Sequence, residues 1–386
     1  GGQGFSSCNN TMIHRWRSER VGQSHGQFIY VRNLENNQIW SNTYYPTIVQ
    51  PDHYEAVFSA DKVKYLRRDG MLTTTTDVTL SPLEDFELRR VTFTNHGDQS
   101  VLLEATSYLE VVNDTFMAEA SHPAFNKLFL EMEFIREGNV LLASRRQRNP
   151  DEKNGVVMHM LRSSTPFVRA VEYETDRRAF LGRGGTKQQP QVLRTRQPLA
   201  GRSGYSNDPI LSLRAAFNVP AGQSVSVSFI TAWCPDREKA RSLGQSLQRS
   251  MYDDDVFRQA LTSSTLERKY LNLSSSLHNA IQELVGPLYY PTRSFRDEES
   301  IIRRNKLGQS GLWRFGISGD DPIILMRVRN LEDLTVVKDA LAAYEFLRQQ
   351  TVAVDLVLIN EEAEGYALPL QNRIQDLTSI LKVCNG

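Results

Sequence analysis

A glycine-rich loop, residues 308–322, carries the most distinctive group of aromatic and polar side chains in the chain. Trp313, Arg314, Asp320 and Asp321 lie there among four glycines, directly before the apolar run 323–328. An indole offers a flat apolar face for a sugar ring, while guanidinium and carboxylate groups exchange hydrogen bonds with its hydroxyls. We therefore expect this loop to bind carbohydrate. In the alternative interpretation the glycines form turns, Trp313 packs in a core and Asp320 caps the loop.

Paired carboxylates, which a glycosidase needs around the scissile bond, occur in residues 172–176, residues 253–255 and the Asp320–Asp321 pair. Glu172 and Glu174 would share one face of a strand, whereas the three aspartates at 253–255 are typical of a helix N-terminus. None of these groups stands out as a catalytic pair. The sequence also has no nucleophile elbow, no phosphate-binding loop and no metal-binding spacing of His or Cys. We therefore predict neither a cofactor nor a metal.

Seven motifs, in one order along the chain, carry a family resemblance. The motifs are GQGFS at 2–6, TMIHRWR at 11–17, GQFIYVR at 26–32, ASHPAFNKLF at 120–129, YETDRRAFLGRG at 173–184, the loop at 308–322 and AVDLVLINE at 353–361. They resemble the region of cyclic β-1,2-glucan synthases between their membrane glycosyltransferase part and their phosphorylase-like C-terminal part. The upstream motifs are also similar to the carbohydrate-binding sandwich of disaccharide and oligoglucan phosphorylases.

The resemblance implies which residues could contact a sugar and where catalysis would occur. His122, Phe125, Asp176 and Arg183 belong to matching motifs and are candidate ligands; His122 could instead be a hydrogen-bonded structural residue beside a turn. In the related phosphorylases, the reaction is assigned to an α-helical barrel that follows the sandwich, where phosphate attacks the anomeric carbon. The chain contains neither that barrel nor the glycosyltransferase part, so we do not expect catalysis by this chain alone.

Three hypotheses about function follow. We favour a non-catalytic carbohydrate-binding and scaffold region that positions β-1,2-glucan or a related oligosaccharide for neighbouring catalytic domains of the same polypeptide. The alternative is part of a glycoside phosphorylase or transglycosylase whose active site is completed by a missing helical-barrel domain. A third possibility is a spacer and dimerisation element without glycan contacts.

The charge balance argues against a nucleic-acid partner. Lys plus Arg and Asp plus Glu both number 45, which gives a net charge of zero. Residues 136–202 hold 14 basic and 6 acidic residues. Aromatic residues are not interleaved there as a stacking platform requires, so we expect a solvated basic face.

Cysteine content and hydropathy bear on the compartment. Cys8, Cys234 and Cys384 are few, odd in number and far apart, which argues against a disulfide framework and for a reducing environment. No apolar run approaches the ~20 residues of a transmembrane helix, and the start lacks both Met and a signal pattern. With the resemblance, this predicts a cytoplasmic location, as the soluble part of a bacterial inner-membrane protein, without direct membrane insertion.

The spacing of apolar residues, which indicates the strands and helices that position these side chains, changes along the chain. From about residue 27 to 233, short alternating or apolar runs separated by turn residues predict one large antiparallel sandwich, with a long excursion at 182–207. Apolar residues spaced three to four positions apart predict helices after Asp236, and aspartate is a residue type preferred at the N-cap. The apolar runs 323–328 and 354–359 flank a helical face, so we expect a βαβ unit with both strands buried on both faces. The final amphipathic helix is predicted at 368–381.

The fold class is therefore mainly β with an α/β tail. We predict a β-sandwich carbohydrate-binding domain at residues 1–235, a helical linker at 236–310 and a small βαβα subdomain at 311–386.

Overall fold

A computed structural model describes residues 2–17, 25–147, 154–195, 197–249, 252–289, 293, 296–362 and 368–383. The chain divides into two compact units, here called the sandwich unit (Gly1–Ser264) and the βαβ unit (Thr265–Gly386). The finer boundaries at residues 235 and 310 stay a prediction.

The sandwich unit is built from antiparallel strands and short helices. Its helices are α1 (Phe116–Ser121), α2 (Pro123–Lys127), α3 (Arg177–Leu181), α4 (Gln191–Arg194), α5 (Arg237–Ser246) and α6 (Tyr252–Tyr270), which continues into the βαβ unit. Its strands are β1 (Ser7–Cys8), β2 (Thr11–His14), β3 (Phe28–Asn33), β4 (Ile39–Ser41), β5 (His53–Phe58), β6 (Val63–Asp69), β7 (Leu72–Leu80), β8 (Phe86–Asn95), β9 (Val101–Tyr108), β10 (Val111–Thr115), β11 (Leu130–Ile135), β12 (Val140–Arg145), β13 (Val156–Ser163), β14 (Glu172–Asp176), β15 (Gly204–Tyr205), β16 (Pro209–Val219) and β17 (Ser224–Cys234).

Two sheets face each other across the main core. Within the described residues, one has nine strands in the order β15-β11-β12-β13-β17-β8-β7-β6-β5, and the other has five in the order β14-β16-β9-β3-β4. Strands β1, β2 and β10 form a smaller sheet. Phe93 of the first sheet and Phe217 of the second lie with ring centroids 5.2 Å apart. The predicted antiparallel sandwich is confirmed.

Both outer faces of the sandwich are also partly covered. Helices α5 and α6 place Leu243, Leu247 and Val256 against the nine-stranded sheet. On the five-stranded sheet, Tyr30 and Tyr108 pack in one cluster with Phe180 of α3 and with Leu193 of the excursion. The excursion at 182–207 carries only α4 and the two-residue strand β15 as regular elements in its described residues.

The βαβ unit confirms the predicted parallel connection. Strand β18 (Ile323–Val328) pairs in parallel with β19 (Asp355–Asn360), from Ile323 opposite Asp355 to Val328 opposite Asn360. Helix α9 (Leu334–Gln349) joins them, after a helical turn whose first N–H groups bond the Asn330 side chain. The other helices of the unit are α7 (Ser275–Tyr289), α8 (Glu299–Arg304) and α10 (Pro369–Val383).

The expectation that both faces of these strands are buried is wrong for β18. Ile324, Met326 and Val328 pack against the helices, but Leu325 on the other face is 58% exposed. Within the described residues the sheet has two strands, and the helices cover one of its faces. A continuous apolar run in the sequence therefore does not by itself show that both faces of a strand are buried.

In the part of the chain that the structure describes, no helix is long and apolar enough to cross a bilayer. Cys8 and Cys234 are free thiols, and Cys384 lies outside the described residues. The cytoplasmic location stays a prediction.

Candidate functional site

A cavity of about 730 Å³ lies between the end of β14, helices α3 and α4, and residues 197–208. We call it the excursion cavity, because the excursion forms most of its wall. Its volume is within the usual range of small-ligand sites. It is lined by Glu174, Asp176, Arg178, Ala179, Gly182, Arg183, Gln191, Val192, Thr195, Gln197, Pro198, Ala200, Arg202, Asn207 and Asp208.

The turn that opens the cavity wall depends on Asp176 and Gly182. Asp176 caps α3, since its Oδ1 accepts the Ala179 N–H at 2.7 Å, and its Oδ2 accepts the Ser206 hydroxyl at 2.9 Å. Helix α3 ends at Gly182, whose φ is +83° and where a Cβ would lie 2.0 Å from Gln191 Oε1. Glycine is required there both for its backbone conformation and for the close approach of α4.

A buried ion cluster anchors the backbone of α4 to the five-stranded sheet. Glu104 of β9 is 0% exposed and pairs with Arg32 at 2.8 Å, with Arg214 at 3.4 Å and with Arg169. Arg32 also donates to the carbonyls of Leu193 and Thr195, and Arg214 to those of Val192 and Gln197. The cluster thereby holds the segment that lines one wall of the cavity.

A second buried cluster, centred on Glu110, anchors residue 187 of the excursion. Lys187 Nζ lies 3.0 Å from Glu110 Oε1, and the Lys187 carbonyl accepts the Tyr30 hydroxyl at 2.6 Å. Burial opposes ionisation of Glu110, but the charges of Lys187, Arg15 and Arg177 outweigh it and lower the pKa of this carboxyl. Glu110 therefore stays ionised and fixes the loop.

The carboxylates of the cavity are mostly engaged in structural contacts. Asp176 is occupied as a cap, and Asp208 pairs with Lys127 and, at 3.0 Å, with Arg177. The buried Glu174 accepts the N–H groups of Thr175 and Asp176 through Oε1, and burial raises its pKa. No second carboxylate free of such contacts lines the described part of the cavity.

The cavity offers hydrogen-bond donors instead. Within the described residues, the exposed guanidinium groups of Arg178, Arg183 and Arg202 have no hydrogen bond or ion pair, and the amides of Gln191 and Asn207 lie on the same walls. Such groups bind hydroxyl or anionic oxygens. Elsewhere too, no three His, Cys, Asp or Glu side chains of the described chain are arranged to hold a metal ion.

The predicted ligands separate into three places. Asp176 and Arg183 line the excursion cavity. His122 and Phe125 lie outside that lining, on the exposed corner between α1 and α2, where Phe125 contacts Phe129 edge to face at 5.0 Å.

The remaining four lie in the 308–322 loop of the βαβ unit. Trp313 is 65% exposed and donates through Nε1 to the Ser318 carbonyl at 3.3 Å, while Asp320 accepts the Gln309 amide at 2.8 Å. Arg314 stacks on Phe315 at 4.6 Å, and Asp321 is exposed. The alternative in which Trp313 packs in a core is wrong for this structure, because most of the residue is exposed to solvent.

Replacing Trp313 with alanine should change the free energy of unfolding by less than about 0.5 kcal/mol, because exposed side chains contribute little. The control is Leu347→Ala in the same unit, where Leu347 is fully buried and the loss should be about 2–5 kcal/mol. Thermal melts of both variants provide the comparison. Equal losses would mean that Trp313 is buried in solution.

Sequence reasoning considered Glu174 only as one of a pair of carboxylates, and it missed the arginines at 178 and 202 and the amides of α4 and its flank. For the residues within 182–207, the available signal is the Gly-, Gln- and Pro-rich composition of that stretch, which predicted the excursion but not its fold against β14.

Comparisons with known proteins fit this architecture. The chain is 33% identical over 383 residues to the cyclic β-(1,2)-glucan synthase NdvB of Rhizobium meliloti (strain 1021), an alignment that takes in 99% of this chain and 14% of that protein. It is 21% identical over 241 residues to solabiose phosphorylase of Paenibacillus borealis, covering 62% of this chain and 30% of that protein. The chain thus spans less than a third of the length of these curated relatives.

Likeness to solved structures is weaker. A bacterial glucoamylase complexed with acarbose superposes with a TM-score of 0.41 at 10% identity, covering 70% of this chain and 34% of that chain, which is too distant to support an inference. The model of the supersandwich domain of glycosyl hydrolase 94, in contrast, matches residues 1–250. Because this match covers well over half of its residues, the chain belongs to the glycosyl hydrolase 94 supersandwich domain family.

Proposed function

We propose that the chain is a non-catalytic carbohydrate-binding and scaffold part of a carbohydrate-active enzyme, which positions β-1,2-glucan for neighbouring catalytic domains. The observation that carries this proposal is the excursion cavity, with three uncommitted guanidinium groups and several amides on its walls. The relation to a cyclic β-(1,2)-glucan synthase supports glucan as the ligand class.

The chemistry of the walls suits hydroxyl recognition. Guanidinium and amide groups hold fixed donors that can bridge neighbouring hydroxyls of a sugar ring. The two ion clusters fix the backbone of α4 and residue 187 before a ligand arrives, and a prearranged site loses less entropy on binding. The open indole of Trp313 is a second sugar contact in this proposal, in the other unit.

The state of the carboxylates supports a non-catalytic role. Hydrolysis with inversion or retention needs two carboxyl groups across the sugar, but Asp176 and Asp208 are engaged in structural bonds. Among the described residues that line the cavity, Glu174 is the one buried carboxyl whose pKa is raised, and burial is the main cause. That one observation favours the second candidate, a phosphorylase site in which Glu174 faces groups supplied by a helical domain.

Replacing Arg183 and Arg202 together with alanine should weaken binding of β-1,2-gluco-oligosaccharide at least about tenfold, because each hydrogen bond from a charged group contributes about 1.5–3 kcal/mol. Isothermal titration of the full chain measures this effect. The matched control is Arg249→Ala, another exposed arginine in the same unit that does not line the cavity, and it should bind like the wild type.

The same titrations separate the competing interpretations. Loss of binding in Trp313→Ala but not in the arginine double variant would move the site to the 308–322 loop. A wild-type chain that binds no glucan at millimolar concentration would leave only the spacer role. Formation of sugar phosphate or shortened glucans from oligosaccharide and phosphate, above a heat-treated control, would overturn the non-catalytic assignment in favour of the phosphorylase.

A further inference from the structure

A second cavity, of about 450 Å³, lies at the opposite end of the sandwich from the excursion cavity. The excursion cavity includes Asp208, which directly precedes β16, whereas Val101 of the second cavity pairs with Val219, the last residue of β16. Turns from both sheets form its walls, namely those after β3, before β5, between β6 and β7, and between β8 and β9. We call it the amide cavity, after the Asn and Gln residues that line it.

Several polar atoms of the amide cavity are free to bind a ligand. Within the described residues, the exposed Gln50 side chain makes no hydrogen bond. Gln38 accepts the Asn36 amide through Oε1 at 3.2 Å, which leaves its own N–H₂ group unused. Asp52 accepts the Gly70 N–H through Oδ2 at 2.7 Å, which leaves Oδ1 available. The walls therefore present both donors and acceptors.

The cavity also has an apolar side. Trp40 and Leu72, both members of the main core, contribute buried surface to its lining. Val49 and Met71 lie at its walls with large exposed fractions, 40% and 55%. Exposed apolar groups beside free amide groups match a ligand that has one apolar face and a polar edge, as a pyranose ring has.

Trp40 lines the cavity and carries a polar group without a partner. The residue is 4% exposed, and its buried Nε1 has no hydrogen-bond partner among the described residues. A buried donor without a partner is destabilising by about 1–3 kcal/mol, and tryptophan N–H groups normally find one. Because Trp40 lines the cavity, its indole N–H signal reports on a ligand that enters it.

The charges around the cavity exclude an anionic ligand. Arg67 is fully buried and is committed to Asp69, which it contacts through two nitrogens at 2.7 and 2.8 Å, and to the Val49 carbonyl. The carboxylates of Asp52 and Asp69 lie on the walls, and no arginine or lysine lines the cavity in the described chain. We propose that the amide cavity binds a neutral saccharide, separately from the excursion cavity.

The test uses the indole N–H signals of the full chain, which contains four tryptophans. In proton–nitrogen correlation spectra, the signal that disappears in Trp40→Phe belongs to Trp40. It should shift on titration with glucose or a β-1,2-linked glucose disaccharide, and Gln50→Ala should raise the dissociation constant at least about fivefold. Trp40→Phe keeps an aromatic ring but places a smaller side chain in the main core, so its melting temperature should fall and the variant serves to assign the signal.

Control titrations separate this inference from the proposed function. Arg183→Ala changes only the excursion cavity, so it should leave the Trp40 shift intact. A Trp40 signal that stays fixed while the excursion cavity binds glucan would overturn the inference and leave the proposed function standing. An equal shift with glycerol at the same concentration would overturn the saccharide assignment. If Trp40→Phe does not fold, the inference is tested with the Gln50→Ala variant, whose residue is exposed. Its dissociation constant is then compared with that of the wild type.

Discussion

Replacing Glu104 with alanine is expected to lower the free energy of unfolding by about 3–5 kcal/mol. Glu104 is the buried counter-charge of Arg32 and Arg214, both of which are themselves buried. Without it, Arg32 keeps only the carbonyls of Leu193 and Thr195 as partners. Arg214 keeps one carboxylate, Glu172 at 3.4 Å, beside carbonyls and a hydroxyl, and desolvation of a poorly paired charge is costly. Urea unfolding followed by circular dichroism gives the loss.

An exposed ion pair in the same unit is the control for Glu104. Glu133 pairs with Arg237 at the surface, so Glu133→Ala should lose no more than about 1 kcal/mol. Similar small losses in both variants would contradict the view that the Glu104 cluster holds the excursion. Because Arg32 and Arg214 also anchor α4, the Glu104 variant should be cleaved faster by protease within residues 182–207 than the Glu133 variant.

The chain should lose stability steeply on acidification, because two histidines are buried in neutral form. His159 lies between the Ser107 and Thr231 hydroxyls at 2.8 and 2.9 Å, and burial lowers its pKa to about 3. His14 accepts the Ser6 N–H at 3.1 Å, and burial lowers its pKa to about 4. The unfolded chain protonates both near pH 6.5, so stability present above that pH is lost as the pH falls toward 3 or 4.

At pH about 4.5 the expected loss is roughly 2–3 kcal/mol for each histidine. Free energies of unfolding measured from pH 7 downward give the slope, and His159→Gln should flatten it because an amide does not titrate. His96 is exposed, so His96→Gln should leave the slope unchanged. A wild-type profile that is flat between pH 6.5 and 4.5 would contradict this account.

Much of the fold could be predicted for strands and helices that have one buried face and one exposed face. Strand β7 includes the run Thr73–Thr76 with alternating burial, and the cap residues Asp236 and Asn330 lie at the helix starts that the sequence indicates. Strands β13 and β16 give no such pattern, because helices, the excursion or the opposite sheet cover them on both faces. The exposed face of β18 could not be predicted from its apolar run for the same reason: residue type alone does not tell which face is covered.

The candidate site was predictable only in part. Asp176 and Arg183 were found through family motifs, and both line the excursion cavity. The Gln191 amide of α4 reaches the same cavity because Arg32 and Arg214, far away in sequence, bind the carbonyls of α4. No local pattern encodes such long-range bonds. The amide cavity could not be predicted from the sequence for a similar reason, since its residues come from four separate turns.

The buried strand β16 gives the two proposed sugar sites a fixed separation. Its eleven residues, at about 3.3 Å each, place the cavities at its two ends roughly 30 Å apart. A glucose disaccharide can occupy only one end at a time. A glucan long enough to reach both would bind its second site intramolecularly, so avidity could exceed either single affinity by about 10²–10⁴. Apparent affinity should then rise abruptly above a threshold chain length rather than in proportion to the number of glucose units. The sandwich would thereby select glucans by their length.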